Sequence, residues 1–418
     1  MSVVPLTESS TRFVSFSCVE HRPEVSVVIP CLNEEAGVVA VVADAFAGIA
    51  KSDRSGEVIV VDNGSTDRSA ELAEEAGARV VHEQRRGYGS AYLRGLAEAQ
   101  GDYVVMADAD GTYPIHDLPA FVDLLEAGHD LVLGSRFKGT IHRGAMPWAH
   151  RWIGNPVLTF ILNVFFGVRV SDAHCGMRAI RREAVPRLEL QATGMEFASE
   201  MILKASKRKL RVGEIPIDYQ PRIGESKLNT WRDGWRHLRF MLLHSSTFLF
   251  LIPGLVLLVL GLAIMLPLAT GPVNAFGLTW YIHAMIAGSL ATLVGAQIVQ
   301  LGLFARSYAL LYLNEHDPLM ERLWTRVRLE HGLLLGGALT LIGGGVLVAI
   351  FLEWASGGFG ALGRVHEALF GMTLVGLGMQ TLFGSFFLSV LGLRRHLLLG
   401  YDRQRAEERA QEREMVQV

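Results

Sequence analysis

The sequence predicts an α/β fold: a doubly wound, mostly parallel sheet with helices on both faces, followed by an interfacial helix and a four-helix transmembrane region. Two observations predict the first half and one the second. Short buried β-type runs alternate with helical patterns up to about His244, the signature of a parallel sheet. Gly-, Asn- and Asp-rich turns follow the strands, where such sheets bind ligands. After His244 come four stretches of roughly 20 or more residues without Asp, Glu, Lys or Arg, each long enough to cross a bilayer.

The elements follow in order. Val25–Ile29, Glu57–Val61, Arg79–His82, Tyr103–Ala107 and Asp130–Gly134 read as strands. Glu34–Ile49, Ser65–Ala76, Gly89–Gln100 and Leu118–Ala127 read as helices, the second with Ser65 as its N-cap. Val157–Val168 is apolar but too short to span, and reads as a core helix or, in preference, one dipping into the membrane interface. Residues 228–244 place Trp231, Trp235, Leu238 and Leu242 at helical spacing among Arg232, Arg236 and Arg239, an interfacial amphipathic helix. The predicted organisation is a flexible N-terminus over 1–22, a globular domain over 23–227, the interfacial helix over 228–244, spans at 245–268, 278–305, 333–352 and 368–393, and a tail over 394–418.

Bulk properties agree. The chain has 418 residues, which fits two units. Half of them are hydrophobic, and the mean hydropathy of +0.29 is high for a soluble enzyme. A net charge of −3 gives no bulk attraction for nucleic acid. Cys18, Cys31 and Cys175 have neither metal-type spacing nor a disulfide framework, so free thiols in a reducing compartment are expected. Residues 1–22 lack a signal-peptide pattern. Arginines cluster after the second span and in the tail, which puts the globular domain and both termini in the cytoplasm. His283, Gly288, Gly295 and Gln297 recur as His366, Gly371, Gly378 and Gln380, and Gly254 and Gly261 as Gly337 and Gly344, all 83 positions on. This suggests two tandem helical hairpins.

The residues that could carry chemistry lie after the strands. Asp108-Ala109-Asp110 could hold Mg²⁺ or Mn²⁺ and, through it, a diphosphate. Asp62 could accept hydrogen bonds from a base, and Glu34 or Glu35 from ribose hydroxyls. Arg85-Arg86-Gly87-Tyr88-Gly89-Ser90 opens a helix, a setting for phosphate. Arg222 and Lys227 stand just before the interfacial helix, at the depth of a lipid phosphate.

Together these motifs resemble the family-two glycosyltransferases of GT-A fold. More narrowly they resemble dolichol-phosphate mannose synthase and bacterial polyprenyl-phosphate glycosyltransferases. The resemblance runs over roughly Pro23 to His244. It rests on Val28-Ile29-Pro30 with Asn33-Glu34, Val61-Asp62-Asn63-Gly64-Ser65-Thr66-Asp67, Arg86-Gly87-Tyr88-Gly89, Asp108-Ala109-Asp110-Gly111, Gly134-Ser135-Arg136, Asp172 through Arg178, and Arg222-Ile223-Gly224-Glu225-Ser226-Lys227. It implies that Pro30, Asn33, Glu34, Asp62, Arg86 and Gly87 hold the nucleotide, and Asp108 and Asp110 the metal. Arg136 and Asp172 would join them at the catalytic centre. Arg151, Arg178, Arg222, Ser226 and Lys227 would hold a lipid phosphate. Cys31 stands where relatives often have an aromatic residue, and Thr112 where some place a glutamine.

The implied reaction is an inverting transfer of a hexose, from GDP-mannose or UDP-glucose, to a polyprenyl phosphate. Donor, acceptor and bilayer are the expected partners, nucleic acid is not, and a homo-oligomer is left open. A phosphate monoester is largely a dianion at neutral pH and needs no strong base. The rivals are another lipid or polysaccharide acceptor, and a non-catalytic membrane-anchored sugar-nucleotide binding protein.

Overall fold

The computed structural model describes residues 22–224, 230–275, 277–312, 320, 322, 326, 329–361 and 363–416. The chain divides into two compact units, Met1–Leu238 and Arg239–Val418.

The first unit is an α/β sandwich around one sheet. In chain order it contains β1 (Val25–Cys31), α1 (Val38–Lys51), β2 (Gly56–Asp62), α2 (Ser69–Glu75), β3 (Arg79–His82), α3 (Tyr88–Glu98) and β4 (Tyr103–Met106). Then come α4 (Leu118–Glu126), β5 (Leu131–Ser135), α5 (Asn155–Phe166), β6 (Arg178–Arg181), α6 (Val185–Leu188), α7 (Phe197–Lys207), β7 (Val212–Pro216) and the start of α8 (Thr230–Leu243). The sheet order is β3-β2-β1-β4-β6-β5-β7. All pairings are parallel except those of β6, which runs antiparallel to β4 and β5. The Val- and Ile-rich central strands are covered on both faces and bury nearly every side chain, as parallel strands do. Helix α1 buries Val38, Val41, Val42, Ala45 and Ile49, one stripe at helical spacing.

Several expected boundaries shift. Helix α1 begins at Val38, not Glu34, and α2 at Ser69, not Ser65. Ser65 is not a cap: its hydroxyl accepts the Asn33 backbone N–H at 3.0 Å. Those residues are drawn into loop-to-loop bonds that outcompete an early helix start. Strands β6 and β7 were not anticipated; β6 is four residues flanked by arginines. The run read as Val157–Val168 is α5, with Leu162 and Thr159 buried and Val157, Phe160 and Val164 exposed.

The second unit holds four helices long and apolar enough to span a membrane: Thr247–Thr270, Ile282–Leu310, Leu329–Ser356 and Val365–Leu391. Helix α9 (Ile252–Met265) belongs to the first span. The second span was expected from residue 278, but 278–280 are β9 (Leu278–Trp280), paired with β8 (Val273–Ala275) in a hairpin before α10 (Ile282–Tyr312). A Cβ on Gly261 would lie 2.7 Å from the Gly288 carbonyl, and one on Gly295 would lie 2.8 Å from that of Gly254. The third and fourth helices repeat this with Gly343 against Gly371 and Gly336 against Gly378. The repeat partners of Gly254 and Gly261 are thus Gly336 and Gly343, one residue earlier than the sequence comparison suggested. Gly337 and Gly344 face open space. Between the hairpins, Leu293 meets Gly376, and Phe304 meets Phe387 with ring centroids 4.7 Å apart, both pairs separated by the same 83 positions.

Candidate active site

The turns after β1 and β2 lie side by side because Cys31 is in register with Asp62. They are knitted together reciprocally. Thr66 N–H donates to Asn33 Oδ1 at 2.7 Å, Glu35 N–H to Asp67 Oδ2 at 3.2 Å, and Arg68 N–H to Glu35 Oε2 at 3.0 Å. Asn33 has φ 52°, which asparagine tolerates. Its side-chain carbonyl is committed to holding the neighbouring turn. Pro30 is half-buried at the end of β1, and Glu34 is buried. Asp62 accepts from Ser65 N–H at 3.0 Å and pairs with His82 Nδ1 at 3.1 Å. Burial works against its charge, but these bonds overcome it and hold the carboxyl below its usual range.

Asn63, not singled out from sequence, ties in the next turn. It donates to the Glu83 and Arg85 carbonyls and accepts the Gly87 N–H at 2.7 Å. Gly87 was expected to bring backbone N–H groups to a phosphate. Its N–H is instead spent on Asn63, and a Cβ there would lie 2.2 Å from the Thr193 carbonyl. Gly89 would likewise meet the Ala192 carbonyl at 2.1 Å. These glycines seat the 192–193 backbone, and the phosphate-cradle reading of Gly87 is corrected accordingly. Arg86 is exposed and folds toward the Gly64 carbonyl.

The acidic pair follows β4. Tyr88 and Tyr92 hydroxyls donate to Asp108 Oδ1 at 2.9 and 3.3 Å. Thr112 donates its N–H and hydroxyl to Asp110 Oδ1 at 3.1 and 2.6 Å. In both residues one oxygen is fixed by the protein and Oδ2 is turned elsewhere. Gly176 leaves room for Asp108 Oδ2: a Cβ there would stand 2.5 Å from it. Burial, then the Asp110 charge, pushes the Asp108 carboxyl up to about 7. This surplus of buried negative charge on hard oxygens fits a divalent cation. Among the described residues no group of three or more His, Cys, Asp or Glu could serve one. The protein would therefore contribute two carboxylates, and phosphate and water the rest, as is usual for Mg²⁺. Thr112 already spends its hydroxyl on Asp110.

A strap crosses this pair. Ile223 N–H donates to the Asp110 carbonyl at 2.8 Å, and Gln220 N–H to that of Thr112 at 3.0 Å. This brings Arg222 over the site. Its Nη2 donates to Glu34 Oε1 at 2.9 Å, its Nη1 lies 3.6 Å from Asp110 Oδ2, and its Nε is buried without a partner among the described residues. Ser226 and Lys227 lie outside the described residues.

On the other side, Arg136 and Asp172 form a bidentate buried pair at 2.7 and 2.8 Å, with Arg136 N–H adding a third bond at 3.1 Å. Asp172 is 0 % exposed. Both its oxygens are taken, so it orients Arg136 and is not placed to remove a proton. Arg136 Nη1 makes no hydrogen bond among the described residues, the guanidinium lies over the Tyr219 ring at 5.3 Å, and Arg136 lines a groove with Phe137, Ile141, Arg151, Trp152 and Pro156. Arg151 has no carboxylate partner among the described residues and lies over the Trp152 ring at 5.5 Å. Arg178 must be corrected. At 2 % exposure it donates to the Cys175, Ala198 and Ala173 carbonyls at 2.8, 2.8 and 2.9 Å, so it cannot meet a lipid phosphate.

Comparison with known proteins shows what the chain is similar to. Residues 26–188 match Glycosyl transferase family 2, and residues 303–392 match the Glycosyltransferase family 2 C-terminal transmembrane region. The chain is 41 % identical over 374 residues to the low-salt glycan biosynthesis hexosyltransferase Agl6 of Haloferax volcanii, covering 88 % of this chain and 89 % of that protein. It is 36 % identical to a dolichyl-phosphate hexose transferase of the same organism, over 50 % of this chain and 89 % of the relative. A solved structure of glucosyl-3-phosphoglycerate synthase from Mycobacterium tuberculosis aligns with TM-score 0.44 and 25 % identity, over 54 % of this chain and 81 % of that one. With a GT-A sheet, four spanning helices and a relative matched along nearly its whole length, this chain is a membrane glycosyltransferase and belongs to glycosyl transferase family 2.

Proposed function

We propose that the protein is an inverting hexosyltransferase that moves a sugar from a nucleotide-sugar, GDP-mannose or UDP-glucose, to a polyprenyl phosphate at the cytoplasmic face. The names of the two Haloferax relatives, one a hexosyltransferase and one a dolichyl-phosphate hexose transferase, support the hexose and the lipid. The observation that carries the reading is the groove beside Arg136. It offers to an anion Arg151, which has no carboxylate partner among the described residues, and Arg136 Nη1, and the same stretch of chain leaves Trp148, Trp152, Ile153, Val157 and Phe160 exposed and apolar. A phosphate on a lipid chain matches both halves of that surface.

In this mechanism Asp62 and Glu34 bind the nucleoside. Asp108 and Asp110 would hold a divalent cation, which would supply charge neutralisation at the departing diphosphate. Arg222, whose Nε has no partner among the described residues, moves its hydrogen bond from Glu34 and its ion pair from Asp110 to the diphosphate. Arg136 and Arg151 align the acceptor phosphate, whose ionised oxygen attacks C1 as the C1–O bond to the nucleoside diphosphate breaks and that group leaves with the electron pair. No protein base is needed, which agrees with the full commitment of Asp172. Alignment and charge neutralisation supply the rate.

The test is a panel of radiolabelled nucleotide-sugars with membranes and undecaprenyl phosphate. One donor is expected to yield an organic-extractable, acid-labile lipid product. Asp108→Asn and Asp110→Asn should each lower turnover at least about a hundredfold. Turnover untouched by both substitutions refutes the assignment of the acidic pair.

A further inference from the structure

We propose that His237 is a positioning residue for acceptor transfer: from the amphipathic helix α8 it fixes, through Ser199 and His174, the loop whose Asp172 aims Arg136. The proposal rests on the acceptor reading above.

The contacts form a continuous chain. Ser199 is fully buried on α7, its hydroxyl 2.9 Å from His237 Nδ1 and 3.4 Å from His174 Nε2. A single hydroxyl carries one proton, so it donates to one ring and accepts from the other. Either sense is open to the hydroxyl, and whichever it takes sets both tautomers together. The two rings also meet edge to face at 4.5 Å. The His174 backbone N–H then donates to Asp172 Oδ1 at 3.3 Å, and Asp172 holds Arg136. Arg178 clamps the far end of the same loop to the Ala198 carbonyl, next to Ser199. The loop is therefore attached to α7 at two points, and α8 contributes to only one.

Simple anchoring of α8 would be served by a leucine or methionine. A histidine buried to 7 % exposure, facing a second histidine and near Arg178, with Asp233 as the opposing charge among the described residues, is an expensive anchor. What it adds is direction: hydrogen bonds fix the rotation of α8 against the loop, which packing alone does not. The exposed Trp235 and half-exposed Arg236 on the same helix suit a lipid surface. Seating of α8 on the membrane and the aim of the acceptor arginine then become one event.

The test uses the full chain in nanodiscs, undecaprenyl phosphate as acceptor, and whichever of UDP-glucose and GDP-mannose the donor panel selects. His237→Ala is expected to raise the acceptor KM about five- to tenfold, with donor KM changed by less than about twofold, as loss of one buried hydrogen bond implies. His237→Gln keeps a neutral donor and acceptor and should recover most of the loss. Ser199→Ala should reproduce the acceptor-selective rise. If His237→Ala does not fold, the contrast between His237→Gln and Ser199→Ala carries the comparison. An unchanged acceptor KM, or donor and acceptor KM rising together, overturns the proposal. Arg136→Lys separates the two layers. If it too leaves acceptor KM unchanged, the acceptor site itself is wrong. If it alone raises acceptor KM, only the role of His237 falls.

Discussion

Tyr88 shows how much of this site lies in residues that carry no obvious chemistry. Its hydroxyl, with that of Tyr92 one helical turn on, leaves Asp108 with one fixed oxygen and one available oxygen. Tyr88→Phe is expected to raise the metal concentration for half-maximal turnover about threefold or more, from loss of one charge-assisted bond, while the fold is retained. Titrating Mg²⁺ and Mn²⁺ against turnover checks this; an unchanged half-saturation refutes it. The place of the acidic pair was legible, because the buried run before it reads as a strand and the pair does follow β4. Arg178 was not. A sequence shows that a guanidinium is present, but not whether it meets phosphate or the carbonyls of Ala173, Cys175 and Ala198, contributed by two separate segments. Asn33 and Asn63 were likewise hidden, since turn residues look alike whether they bind ligand or another turn.

Elements set the next level. Strand β6 escaped notice because four residues flanked by arginines give no period, and its antiparallel direction breaks the alternation that made the rest readable. Helix α3 begins against the 192–193 backbone, and only glycine fits at Gly89. Gly89→Ala should therefore lower Tm by several degrees, an overpacking cost of about 1–3 kcal/mol. A thermal melt of the full chain decides it, and an unchanged Tm would mean that the 192–193 segment yields freely. The junction of α7 and α8 predicts a pH dependence. Burial, with Arg178 adding to it and Asp233 opposing it, lowers the His237 imidazole from 6.5 to about 4. Between those values the unfolded chain binds a proton that the folded chain refuses, so stability falls as pH drops from about 6.5 toward 4 and is level above. Up to about 3 kcal/mol is at stake. His237→Gln should flatten the acid limb of Tm against pH; an unaltered limb would refute the assignment.

At the scale of the molecule, four spans were evident from length and hydropathy, and the paired glycines from their recurrence. The one-residue offset was not, because adjacent glycines on a helix differ only in which way they face. Each hairpin closes on its own glycine pairs, and the two hairpins meet through residues at matching places, Leu293 with Gly376 and Phe304 with Phe387. A covalent link between them is then dispensable for recognition. Two polypeptides co-expressed from the same cell, one ending after Tyr312 and one starting before Leu329, should find each other in the bilayer and co-purify. Gly376→Leu should weaken that capture, and recovery of either piece alone would show that the peptide connection, not complementarity of the halves, holds the bundle together.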